Sequence, residues 1–501
     1  MFSQSITVKF LKTIWVKFKD SATFSVFLAI TGFFGRVYEK SILKRYVNSG
    51  NFLNKNWENS FIAKILDKIY LFFLKVIFGI FKIFKFESSI SYSLVERTVG
   101  KIKFHRIVAI LFALIFLVYS SWWNNIYALG IAGVLFFMIL YKDRGKTLLP
   151  SKIDFFMVLF LVTIPLGLVA ASNKADAIRI SMMTITSLLI LAVTVFSLND
   201  NQKVKGFLKI MSFGIFITAV IAIIQRIIGV EVDPEFVDIA NNEGMPGRVF
   251  STMENPNNYA EILVLFVPFM FALFVNEKKA ILKVMWIVLA GVTMVALLMT
   301  YSRSCYVAVL IAMIVFILIY DYKLILPALI LGLILIPFLP ETVMNRIMTI
   351  GSLSDSSNSY RLYIWEVCAK LIGNYGISGL GIGPDAFARF YKAISYENAI
   401  KAPHSHMLYM ELILEYGVVG FIGFMGYYIR IIRNGFKSIS LADKEGKAYL
   451  AAGIGALLGI SFVCMAEYIW FYPRDGFAHF IVMGILVAVI KNISRESSGN
   501  K

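Results

Sequence analysis

Residues 280–320 read AILKVMWIVLAGVTMVALLMTYSRSCYVAVLIAMIVFILIY. Two apolar runs, 280–300 and 305–320, flank a short polar break, Ser302-Arg303-Ser304. A helix needs about 20 apolar residues to cross a hydrocarbon core of about 30 Å, so each run reads as a membrane span. Similar runs recur on both sides, at 106–121, 126–141, 154–172, 178–198, 207–229, 258–275, 324–339, 407–429, 447–470 and 476–492, giving twelve candidate spans. Across all 501 residues, 58% are hydrophobic and the mean hydropathy is +0.75, too apolar for a soluble globule. The 15% aromatic content suits interfacial belts. The expected fold class is therefore all-α, a polytopic integral membrane protein with about twelve transmembrane helices.

A net charge of +18 raises nucleic acid as a partner, but the distribution of that charge argues against it. Lysines and arginines gather in alternate short connections: Lys142, Arg144, Lys146 and Lys152; then Lys203 and Lys205; Lys278 and Lys279; Lys323; and Arg430, Arg433, Lys437, Lys444 and Lys447. Such connections are cytoplasmic by the positive-inside rule, and with Lys491 and Arg495 in the tail both termini are expected there, in a multi-pass plasma-membrane protein. The other connections differ. The one from Val230 to Asn257 carries Glu231, Asp233, Glu235, Asp238 and Glu243, and that from Glu341 to Pro403 is long and mixed. Arginines on that side serve no topological rule.

The chain divides into residues 1–104, basic and membrane-associated, and 105–501, a membrane domain with an extracytoplasmic cap, 340–406, between the ninth and tenth spans. Ala22 to Gly35 is apolar but too short to span and has no small-residue cleavage site. Lys64, Lys68, Lys75 and Lys82 share one helical face among Ile65, Ile69, Leu71, Phe72, Phe73, Val76 and Ile77. This predicts a helix along an anionic leaflet, with membrane lipids as partners; a further span interrupted by lysines is the alternative. Within the cap, Gly351 to Ser359 reads as a link, and Leu362, Ile364, Trp365, Cys368, Ala369 and Leu371 recur at helical spacing.

Six segments on the non-basic side carry the polar chemistry: Arg248 to Asn257, Ser302 to Ser304, Tyr360-Arg361, the glycine run Gly376 to Gly383, His404-Ser405-His406, and Arg474. Guanidinium matches the oxygen fork of a phosphate, and the alternative for each arginine alone is snorkelling or a structural ion pair. Only four histidines occur, and His404 and His406 stand together at the mouth of the tenth span; a neutral imidazole there can take a proton from an alcohol or merely hydrogen-bond. Glu411 and Glu415 follow on one helical face and could orient them. Cys305, Cys368 and Cys464 form no framework, and no metal-ligand spacing is present. The glycine run neither follows a strand nor sits in a soluble unit, so it reads as backbone turns and no cofactor is expected.

Taken in order, Arg248-x-x-Ser-Thr-x-x-Asn-Pro-Asn-x-x-Ala260, Ser302-Arg-Ser304, Arg361 with Trp365, Gly379-x-Gly-x-Gly before Phe387, and His404-Ser-His406 followed by Glu415-x-Gly-x-x-Gly420 resemble the O-antigen ligase and polymerase superfamily. The resemblance implies transfer of a glycan from an undecaprenyl diphosphate carrier to an acceptor hydroxyl, on a glycan, lipid or protein, at the outer membrane face by a metal-independent, inverting route. It further implies that Arg248 and Arg303 hold the diphosphate, that Arg361 assists from the cap, and that His406 is the general base with His404 secondary. Asn255 and Asn257 would support the site. Where the family has asparagine after the histidine, this chain has Met407. From another class, the alternative is a transporter or flippase of lipid-linked sugars or another anion, which would place ionisable residues at mid-membrane and carry internal repeats.

Overall fold

The computed structural model describes residues 51–83, 103–143, 149–231, 246–350, 356–394 and 402–499. The chain divides into two units, 1–52 and 53–501, and the described helices belong essentially to the second. The apolar stretch Ala22 to Gly35 and the acids Asp233, Glu235, Asp238 and Glu243 lie outside the described residues.

Among the described residues all regular structure is helical. In chain order the helices are α1 (Phe52–Asn59), α2 (Phe61–Ile83), α3 (Phe104–Leu117), α4 (Asn125–Asp143), α5 (Phe155–Ala170), α6 (Lys174–Ser197), α7 (Asn201–Ile228), α8 (Pro256–Asn276) and α9 (Ala280–Met299). They continue as α10 (Arg303–Asp321), α11 (Ile325–Leu335), α12 (Glu341–Met348), α13 (Ser356–Tyr375), α14 (Pro384–Ile394), α15 (Leu408–Ser438), α16 (Lys444–Val463) and α17 (Pro473–Gly499). Eight runs among the described residues are long and apolar enough to cross a membrane: α6, α7, α8, α9, Arg303–Phe338, Leu408–Leu441, α16 and Pro473–Ser498. The protein is a multi-pass membrane protein.

That differs from twelve spans in two ways. The first three expected spans are shorter apolar helices, Phe104–Leu117, Asn125–Tyr141 and Phe155–Ala170. The expected eighth and ninth fall in one apolar run, Arg303–Phe338, interrupted where Asp321 takes extended backbone (φ −158°, ψ 102°) before the 3₁₀ turn Tyr322–Leu324 that leads into α11. The expected 447–470 span also ends early, at Val463.

Helix starts follow side-chain caps. Asp154, Asn173, Asp200, Asn255 and Asp443 each accept backbone N–H groups at the openings of α5, α6, α7, α8 and α16, and Pro256 occupies the first turn of α8 where its missing N–H costs nothing. The α8 window is 83% buried whereas Arg303–Phe338 is 17% buried, so α8 is central and the α10–α11 run is peripheral. Gly455 and Gly459 let α16 press against α10: a Cβ at either would lie 2.5 and 2.6 Å from the carbonyl oxygens of Ala312 and Ala308. Small residues four apart are a membrane solution to close helix packing.

Between α11 and α15, α13 and α14 build a folded segment with a small core of its own, including Ile364, Cys368, Leu371, Leu380, Phe387 and Tyr391, against Leu414 of α15, while Val343 of α12 packs into the main core. The glycine run ties it down. Gly379 and Gly417 both have positive φ, 72° and 70°, and a Cβ on Gly379 would lie 2.9 Å from the Gly417 nitrogen. At Gly417 the helical backbone of α15 is interrupted, and Leu380 and Val418 donate N–H bonds across the break to Leu414 and Gly376 carbonyls at 2.6 and 2.8 Å.

Candidate functional site

The connection from α16 to α17 carries Glu467, on which several distant segments converge. One carboxylate oxygen pairs with the Arg361 guanidinium from α13 and accepts from the Asn257 amide at 3.5 Å. The other lies 3.5 Å from His406 Nδ1. Asn257 in turn accepts from Arg248 Nη2, and Arg248 Nε donates to the Thr300 carbonyl at 2.7 Å. Arg248, Asn257, Arg361 and His406, spread over 159 residue numbers from 248 to 406, are thus joined through one acid.

The electrostatics follow from that convergence. Burial alone would push the Glu467 carboxyl up, but Arg361 and the hydrogen bond from His406 outweigh it and hold the group down at about 2. An ionised carboxylate can only accept, so His406 presents Nδ1–H to Glu467, and Nε2 is the ring nitrogen not engaged by that acid. Burial, with Arg346 nearby, draws Arg248 down to about 9, so it remains a cation at neutrality. His404 is buried and lowered to about 3 by burial and by His406, which leaves it neutral. Its Nδ1 accepts the His406 backbone N–H at 3.1 Å, and its ring lies tilted 4.1 Å from that of His406 and 4.4 Å from Phe471.

The histidine loop is fixed from beneath. Glu411 accepts the Ser405 N–H at 2.7 Å, Trp365 donates to the Ser405 carbonyl at 3.1 Å, and the Leu408 N–H bonds the carbonyls of Cys464 and Glu467 at 3.0 and 3.2 Å. Glu411 thus acts on the loop backbone. Glu415 is further removed, accepting from Gly383 N–H at 3.2 Å and Tyr468 O–H at 2.9 Å.

Among the described residues three other than glycine have left-handed backbone: Ser251, Tyr301 and His406, with φ of 56°, 52° and 49°. Each such residue costs about 1–3 kcal/mol and persists only where its surroundings hold it. Gln225 supplies part of that hold, accepting Ser251 and Phe250 N–H at 2.7 and 3.3 Å and donating to the Ser251 carbonyl at 2.8 Å. Arg346 Nε donates to the Tyr301 carbonyl at 3.2 Å.

The remaining expected residues fall elsewhere. Arg303 opens α10 and donates to the Thr349 carbonyl at 3.1 Å, next to Arg346 rather than on Glu467. Asn255 caps α8 through Asn257 and Asn258 N–H. Arg474 is 1% exposed and bound by Glu254 at 2.9 Å and the Val118 carbonyl at 2.8 Å, so it pins α17 to α3. Among the described residues no group of three or more His, Cys, Asp or Glu is arranged to hold a metal ion. An apolar cavity of about 340 Å³ between α3 and α4, lined by Phe104, Leu111, Val134 and Met138 among others, shares no residue with this cluster.

Sequence reasoning missed Glu467, Gln225 and Arg346. An acid inside an expected span, 447–470, was the available signal for Glu467. Gln225 and Arg346 carried no comparable mark.

A multi-pass helical membrane protein with imidazole, carboxylate and guanidinium groups knit together between its helix ends is the class that fold and site define. Residues 287–425 match the family model described as O-antigen ligase, a match that supports a place for the chain in the O-antigen ligase-like superfamily. The matched stretch contains Arg303, Arg361, His404, His406, Glu411 and Glu415, while Arg248, Asn255, Asn257 and Glu467 lie outside it. No curated protein matches the chain.

Proposed function

We propose that the protein is a membrane glycan ligase or polymerase that moves a saccharide from a polyprenyl diphosphate, undecaprenyl diphosphate by the family resemblance, to an acceptor hydroxyl at the outer face of the plasma membrane. The observation that carries this reading is Glu467, which faces His406 with one oxygen and Arg361 with the other. His406 Nε2 takes the proton of the acceptor hydroxyl as its oxygen attacks the anomeric carbon. The bond from that carbon to the diphosphate oxygen breaks, and the electron pair leaves with the polyprenyl diphosphate. Attack from the face opposite the leaving group inverts the anomeric centre. Glu467 stabilises the imidazolium that forms.

Negative charge grows on the diphosphate, and preplaced cations are the groups that lower that barrier. Arg248 and Arg361 are assigned to this task, with Arg303 holding the outer phosphate and ordering α12 through Thr349. His404 and Glu411 position the base through its backbone and loop. Guanidinium carries the charge, so the reaction is assigned no metal.

Reconstitution with a polyprenyl-diphosphate glycan and candidate acceptors tests the reading. New glycosidic linkage that persists in chelator supports it. Movement of the glycan across the bilayer without new linkage would replace it with a carrier, and strict dependence on a divalent ion would overturn the metal-free step.

A further inference from the structure

Helix α2 is held at two points, one on each flank of a single connection. Asp67 accepts the Ser151 N–H at 2.8 Å, and the Phe78 ring meets that of Tyr141 edge-on at 5.9 Å. Tyr141 ends α4 and Ser151 precedes α5, so both flank the same connection, among the basic ones. Eleven residues separate Asp67 from Phe78, about 16 Å along a helix axis. A crossing helix would carry Phe78 that much deeper into the bilayer than Asp67. A helix lying in the membrane plane meets both ends of one connection at the same depth. Helix α1 adds anchors at the same place: Asn54 donates to Asp154 at 2.8 Å and Trp57 to the Pro150 carbonyl at 3.3 Å.

The sides of α2 are sorted to match. Ala63, Asp67, Tyr70, Leu74 and Phe78 are the buried or half-buried positions and follow helical spacing, which makes them the protein side. Lys64, Lys68, Lys75 and Lys82 are all exposed and lie roughly 95° from that side, in one line. Ile62, Leu66, Ile69, Phe73, Ile77 and Ile80, also exposed, lie roughly opposite the lysines, exposed Ile65, Phe72 and Val76 fill the arc between, and Leu71 sits beside the lysine line. The only acid of the helix, Asp67, is turned to Ser151 and away from the lysine line. One side for protein, one for lipid and one cationic is the partition of an interfacial helix.

We propose that α2 is an in-plane membrane helix that holds anionic phospholipid headgroups along Lys64, Lys68, Lys75 and Lys82. The test uses the full chain in vesicles of phosphatidylcholine and phosphatidylglycerol, with spin labels on Ile62→Cys, Ile69→Cys, Phe73→Cys and Ile80→Cys in turn. All four labels should report the same depth to within about one helical turn's rise. A depth that grows steadily from position 62 to position 80 would overturn the in-plane placement. The second arm titrates phosphatidylglycerol into the protein in neutral detergent. Its apparent affinity should fall about fivefold for each Lys→Gln at low salt, with phosphatidylcholine unaffected. Equal affinity in the fourfold Lys→Gln variant would remove the anionic partner. Neither arm reads transfer activity, so this inference stands or falls apart from the proposed reaction.

Discussion

The two ends of the helix bundle are built to different rules. Where Arg248, Tyr301 and His406 meet, left-handed backbone and buried charge are combined, and the guanidinium and imidazole groups share one acid drawn from a distant connection. At the other end each cation pairs with its own acid. Arg430 meets Asp154 at 3.0 Å, Lys205 meets Glu445 at 3.4 Å, and Asp200 and Asp443 serve as caps within their own first turns. None of the left-handed non-glycine residues described lies there. The contrast teaches where the fold tolerates strain: at the end proposed to handle a diphosphate and a proton, while the basic end is built from routine stabilising parts.

Substitutions can break or sharpen this contrast. His406→Ala should cut the transfer rate by about 10²–10⁴-fold while donor affinity stays within about twofold, read by product formation beside donor binding. Arg248→Ala should lower kcat/KM by about 10²–10³-fold and weaken donor binding as well, since the same cation holds the diphosphate in ground and transition states. Glu467→Gln should cost about 10–100-fold in rate and lower thermal stability too, because Arg361 loses its ionised partner. A pH profile gives the smallest effect: Arg248 stays a guanidinium cation despite its burial, so donor kcat/KM should show no basic limb from it below about pH 9. Glu467, ionised down to about 2, should produce no acid limb of its own in the neutral range. At the basic end, Asp443→Ala should lose about 1 kcal/mol of stability in a denaturation assay and leave kcat/KM unchanged.

Much of the helical architecture was legible because its signal is local. Runs such as 178–198, 207–229 and 280–300 became α6, α7 and α9 with ends shifted by a few residues. The polar segments around Arg248, Arg361 and His406 also announced themselves, since charged and imidazole groups beside apolar runs need a reason. What the sequence hid was non-local. The stretch after Val463 is as apolar and aromatic as a span, so hydropathy extended the helix through Glu467 and concealed the acid that links His406 to Arg361. Arg303, equal in promise to Arg248 on the page of letters, is drawn to Thr349 by α12, which no periodicity places. Gln225 clamps Ser251 from inside α7, a role set by packing rather than by any pattern.

The most direct measurement is a double-mutant cycle on transfer rate with His406→Ala, Glu467→Gln and the two combined. If the carboxylate acts through the imidazole, the double variant's loss should fall at least about tenfold short of the product of the single losses. Losses that multiply in full would mean the two groups work independently, and would contradict the account.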